Sequence, residues 1–211
     1  MPLVAGPRRR RLGLAALATL LVAGCGGAQR EPVEAAPTAA AAEPSWPVPE
    51  GWNAEVIPFP LGFAPALPHT GVEVLRFPPG FLDPDSGEYW SYTFVWRTND
   101  PAELGAAPLG DELTTYFRGL VAAVDTAEEI AAPAREAIAA SAVAAAARFD
   151  LVVRTHDASR TKLPVELVGW ASRDACADGG ALWRIVLAPA ATTIRAQLDE
   201  LAVSATCTSV T

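Results

Sequence analysis

YWSYTFVWRT, Tyr89–Thr98, is the most strongly alternating stretch of the chain. Trp90, Tyr92, Phe94 and Trp96 fall on one side at a period of two, with Tyr89, Ser91, Thr93, Val95 and Arg97 on the other. Aromatic and β-branched residues at that period predict a β-strand. Each large ring brings ~150–250 Å² of surface, to be buried in a core or offered to a partner. Just upstream, Val72 to Phe77 also alternates, with Val72, Val74 and Arg76 on one side and Glu73, Leu75 and Phe77 on the other. Pro78-Pro79-Gly80 ends it, and Asp83-Pro84-Asp85-Ser86-Gly87 reads as a turn-rich loop between the two strands.

Further upstream, prolines at 58, 60, 65 and 68 exclude a helix. Downstream, the period changes. Leu109, Leu113, Phe117, Leu120, Val121 and Val124 repeat at three and four residues and predict a helix over 109–124. The alanine-rich stretch from Thr126 favours helix or irregular chain to about residue 138, then strand. Arg148–His156 alternates, with Phe149, Leu151 and Val153 on one side, and His156 falls on the polar side as a surface histidine. Leu163–Ser172 and Ala181–Ala188 are strands joined by a hairpin loop at Asp178-Gly179-Gly180. Ile194, Leu198, Leu201 and Ala205 mark a final helix over 192–205. The expected fold is α+β: a mainly antiparallel sheet of about five strands, in the order β-β-α-β-β-β-α, with two helices packed on one face.

The chain's first residues read differently. Arg8 to Arg11 form a basic segment, and Leu12 to Gly24 is an apolar run of 13 residues. A membrane-spanning helix needs ~20, so the run is the length of a signal-peptide core. Val22-Ala23-Gly24-Cys25 resembles the lipobox of bacterial lipoproteins. The resemblance implies that residues 1–24 are removed, that Cys25 is lipidated as the first mature residue, and that the chain is anchored to a membrane of the cell envelope. Gly26 and Gly27 stand where an aspartate would favour retention in the inner membrane, so the expected site is the outer membrane, facing the periplasm. Residues 25–50 are rich in Ala, Pro and Glu and predict a disordered tether. Residues 51–211 are then a single domain, large enough for a core of its own.

The formal charge of −8 becomes −12 when the four arginines, and no acids, leave with residues 1–24. That argues against nucleic acid as a partner. Lipidation at Cys25 leaves Cys176 and Cys207 in an oxidising compartment, where they are expected to form a disulfide; the alternative is two buried thiols.

Chemistry is less legible. The two histidines, His69 and His156, have no metal-ligand spacing, and no nucleophile elbow, phosphate loop or CxxC is present; no metal or cofactor is expected. His69, Glu73, Arg76, Asp83, Asp85 and Glu88 concentrate ionisable groups around the first hairpin. Of these, His69, Asp83, Asp85 and Glu88 are acid–base candidates if burial separates their pKa values, and otherwise form a solvated loop. The Asp83-x-Asp85-x-Gly87 spacing is only faintly like a calcium loop. The ladder Trp90, Tyr92, Phe94 and Trp96 is either a binding platform for sugar rings, peptide or lipid, or the core face of a central strand.

Phe59 to Trp96, with Cys176 and Cys207, resembles a family of uncharacterised bacterial exported proteins. The resemblance implies export and a domain boundary, and brings no catalytic residue. The expected function is a non-catalytic binding or scaffolding domain whose partner is an envelope protein or glycan. The alternative is an envelope hydrolase using carboxylates near the first hairpin.

Overall fold

The computed structural model describes residues 43–100 and 105–208. The predicted signal segment and Cys25 lie outside the described residues. Seven strands form one antiparallel sheet among them: β1 (Asn53–Pro58), β2 (Gly71–Phe77), β3 (Tyr92–Thr98), β4 (Ala139–Ala145), β5 (Arg148–His156), β6 (Pro164–Ala175) and β7 (Ala181–Ala188). The order is β1-β2-β3-β7-β6-β5-β4. Two meanders therefore meet at the β3–β7 pair, where Phe94 faces Ile185 and Trp96 faces Trp183. Helices α1 (Ala106–Val124) and α2 (Ala132–Glu136) connect the meanders, and α3 (Arg195–Ser204) follows β7.

The sheet has seven strands where about five were expected. β1 was hidden by its prolines. It is an edge strand ending at Pro58, where a missing N–H costs no ladder bond. β4 begins at Ala139, where strand was expected, but was read as one run with β5. Its partner β5 and the helix beside it override the intrinsic helical preference of AASAVAA. The turn at Ala146–Ala147, with Ala146 at φ 52°, divides what read as one run into β4 and β5. β3 starts at Tyr92 rather than Tyr89 because Trp90 has φ 51° and gives its backbone N–H to Phe81 O.

The two main helices do not share a face. Tyr92, Phe94 and Trp96 of β3 pack with Trp183, Ile185 and Leu187 of β7 and with Leu109, Leu113, Tyr116, Phe117 and Val121 of α1. Alternate residues point the other way. Val95 and Leu182 cluster with Leu201 of α3, and Val186 and Ala188 with Leu198 and Ala202. Central strands that are apolar on both sides need cover on both, and the expectation of one covered face missed this.

Helix α1 also guards a sheet edge. Ala140 of β4 donates its N–H to Thr114 Oγ1 at 2.8 Å, and Arg118 Nε donates to Ile138 O at 3.0 Å. Gly110 permits the approach, since a Cβ there would lie 3.2 Å from Ala140 O. Unpaired edges invite pairing with other chains, and covering one with a helix removes that hazard.

The folded body begins before residue 50. Ser45 and Thr206 exchange two backbone hydrogen bonds of 3.0 Å. Trp46 is buried, donates Nε1–H to Leu201 O at 2.7 Å and lies under the Arg76 guanidinium, 4.4 Å from its ring centroid. The predicted tether thus gives way to ordered contacts by Ser45. Beside it, Cys176 and Cys207 form the expected disulfide. Arg184 donates twice to Ala205 O, tying β7 to the end of α3. No helix among the described residues is long and apolar enough to cross a membrane.

Candidate functional site

Where α1 ends, the core opens. A cavity of about 240 Å³ lies between the C-terminal half of α1 and the β1–β2–β3 side of the sheet. That volume is close to the lower end of ligand pockets, ~300–1,000 Å³. Ile57 of β1, Leu75 and Phe77 of β2 and Tyr92 of β3 form one wall. Tyr116, Leu120, Val121 and Val124 of α1 form another. Two loops close the end: residues 78–91 contribute Phe81, Leu82 and Trp90, and the segment after β5 contributes Ala158 and Ser159 beside His156. Leu82 and Val124 are exposed, so the apolar lining continues to the surface.

Each wall has a local cause. Gly119 lets α1 touch the 59–67 connection, since a Cβ there would fall 2.0 Å from Phe63 O; Phe63 in turn packs edge-on against Tyr116 at 5.0 Å and lines the cavity. Asp125 stops α1 by accepting from Glu129 N at 3.0 Å and Ile130 N at 2.9 Å. The loop after β5 is built on Asp157, which is fully buried. Burial alone would raise its pKa. Hydrogen bonds from Tyr89 Oη (2.5 Å), Thr161 N, Ser159 and Arg160 N overcome that and hold it well below the usual carboxylate range. The Tyr89–Asp157 bond also ties the two closing loops together.

Behind the cavity sits a buried acid. Glu73 is opposite Ile57 on β1 and Trp96 on β3, with no exposure to solvent. Burial pushes its pKa up to about 7, against the opposing effects of the Trp96 indole and the Tyr116 hydroxyl. Trp96 Nε1 donates to its Oε1 at 3.0 Å, and Oε2 has no hydrogen-bond partner. Burial and the neighbouring Glu73 raise the phenols of Tyr92 and Tyr116 well above their ordinary value.

No family model, curated protein or solved structure matches the chain.

The residues singled out from the sequence divide between core and loop. Trp90, Tyr92, Phe94 and Trp96 are all buried, so they form no exposed platform. Phe94 and Trp96 are core, with Phe94 stacked on Tyr116 at 5.5 Å; Trp90 and Tyr92 also line the cavity. Asp83 and Asp85 are exposed, and Asp83 Oδ1 accepts from Asp85 N at 3.1 Å. Glu88 Oε2 accepts from Gly80 N at 2.7 Å, bracing the same loop. His69 is buried away from them. Its Nε2 lies 2.8 Å from Glu112 Oε2, fastening the segment before β2 to α1. The structure thus brings none of Asp83, Asp85 and Glu88 to His69, and among the described residues no three His, Cys, Asp or Glu side chains gather to hold a metal ion.

His156 is not a surface histidine. It is half-buried, its Nδ1 has no hydrogen-bond partner, and it lines the cavity. Glu73 belonged to the ionisable cluster but was not singled out within it. The signal was present in its register: an acid sharing a face with Leu75 and Phe77 is an acid facing a core.

Proposed function

We propose that this protein is a lipid-anchored domain of the bacterial cell envelope, held through Cys25, that binds a small apolar molecule between α1 and the sheet. The observation that carries the binding reading is the cavity itself: about 240 Å³, walled mostly by apolar side chains and open past exposed Leu82 and Val124. Protein interiors are packed to ~0.74–0.76 of their volume, with few voids larger than a water molecule. A concave, mostly apolar site is the usual form of a small-molecule site. Trp90, in its wall, adopts φ 51° in the turn that leads into β3. The anchor reading is supported by the sequence of residues 8–25 and fits a binding domain that faces the periplasm from the outer membrane.

The binding reading is tested with N-phenyl-1-naphthylamine, an uncharged apolar fluorophore. The full chain is expected to bind it saturably at one site. Leu120→Trp, which fills the cavity from α1, is expected to weaken binding at least tenfold while circular dichroism stays unchanged. Absence of saturable binding, or equal binding by that variant, contradicts the reading. The anchor is tested separately: Cys25→Ser is expected to release the protein from the membrane fraction, and continued membrane association contradicts it.

A further inference from the structure

Given the binding reading above, the class of molecule the cavity takes follows from the surface that the protein leaves uncovered there. Three of the lining rings, Phe63, Phe77 and Phe81, are only half-buried, although all three pack against the core. Other rings of the wall support them. Tyr116 lies edge-on to Phe63 with centroids 5.0 Å apart, and Tyr92 lies 5.7 Å from Phe77 and 5.3 Å from Phe81. Tyr92 and Tyr116 are themselves buried. Phe77 and Phe81, 4.6 Å apart, come from the end of β2 and the loop after it. Phe63 comes from the 59–67 connection, which Gly119 lets lie against α1. Uncovered ring surface is thus contributed both from the sheet side and from the α1 side.

Size narrows the choice. An apolar cavity of ~150 Å³ lined by Leu, Ile and Phe stays dry and takes one benzene. The cavity here, about 240 Å³, has room for a second fused ring. A rigid ring gives up little internal freedom on entering, whereas a flexible chain is ordered at a cost. The wall chemistry points the same way. Aromatic rings attract one another in edge-to-face or offset arrangements, and each such pair adds about twofold to twelvefold in affinity beyond the area it buries. The aliphatic part of the wall, Leu75, Leu120 and Val121 among others, buries a ring or a chain without that preference. We propose that the cavity takes a fused two-ring aromatic group, seated against Phe63, Phe77 and Phe81.

Naphthalene and decalin test this, since they share one fused ten-carbon skeleton and only naphthalene is aromatic. Their affinities for the full chain are read from the methyl NMR shifts of Leu120 and Val121. Phe77→Leu and Phe81→Leu each keep an apolar side chain and remove the ring. Each is expected to weaken naphthalene binding about threefold to tenfold and to weaken decalin binding by no more than twofold, with circular dichroism unchanged. Equal losses for the two ligands, or no loss of naphthalene binding in either variant, overturn the proposal. So does a parent chain that binds N-phenyl-1-naphthylamine saturably and naphthalene not at all, a result that needs no variant to fold. If N-phenyl-1-naphthylamine itself does not bind, it is the underlying pocket reading that falls, so the two failures are told apart.

Discussion

Glu73 shows how much a single register position decides. It lies at the period-two position of Leu75 and Phe77, and the sheet takes it into the same core. Its folded pKa of about 7 lies above the ordinary 4.5, so the folded chain keeps a proton that the unfolded chain has released. Below the ordinary value both states are protonated, and the group has no effect on stability. Between the two values stability falls as pH rises, and above the folded value the cost is complete, on the order of 3 kcal/mol. Replacing the acid with its amide removes this dependence. Thermal melts of Glu73→Gln are therefore expected to change less between pH 5 and 8 than those of the parent chain, with the variant melting about 5 °C or more above the parent at pH 8. A parent chain whose melting temperature is level or rising over that interval contradicts the buried, proton-holding carboxyl.

Helix α1 connects fold and site. One end of it covers the β4 edge through Thr114 and Gly110, and the other walls the cavity through Leu120, Val121 and Val124. Its position depends on two glycines that propensity alone would count against it. In an exposed helix, Gly→Ala gains ~1 kcal/mol. At position 119 the new Cβ would meet Phe63 O at 2.0 Å, and overpacking costs ~1–3 kcal/mol. Gly119→Ala is therefore expected to lower stability by up to about 2 kcal/mol in urea denaturation; a stabilised variant contradicts this placement of α1. The helix itself was legible from its three- and four-residue spacing. Which way it faced was not: Leu120 and Val124 continue the stripe of Leu113 and Phe117, yet they line a cavity that opens to solvent. Periodicity reports that a residue is apolar and on one side. It does not report whether that side is filled.

In the molecule as a whole, the central strands, the hairpin at Asp178–Gly180 and the disulfide could be read from the sequence because each depends on local pattern or on a count of cysteines. Edge strand β1 could not, since its form rests on pairing with β2, and the strand expected after residue 138 did not show its division into β4 and β5 at Ala146. Nor could the opposite placement of α1 and α3, which follows from both faces of β3 and β7 being apolar. The same dependence on distant partners brought Trp46 into the fold, where it joins Leu201 and Arg76 next to the Cys176–Cys207 bond. That bond spans a sequence separation of 31, and in the chain-entropy model a loop of this length contributes ~3–4 kcal/mol. The double variant Cys176→Ser, Cys207→Ser is expected to lose about that much in equilibrium unfolding. A loss below about 1 kcal/mol would mean that Arg184, Trp46 and the Ser45–Thr206 pair hold the C-terminal end without it. The cavity on the α1 face remains the feature from which the functional account is drawn, and methyl NMR of the full chain titrated with N-phenyl-1-naphthylamine addresses it most directly. The account predicts saturable shifts at Ile57, Leu75, Leu120, Val121 and Val124, with Val95, Leu198 and Leu201 on the α3 face unmoved; shifts confined to the α3 face, or none at all, would contradict it.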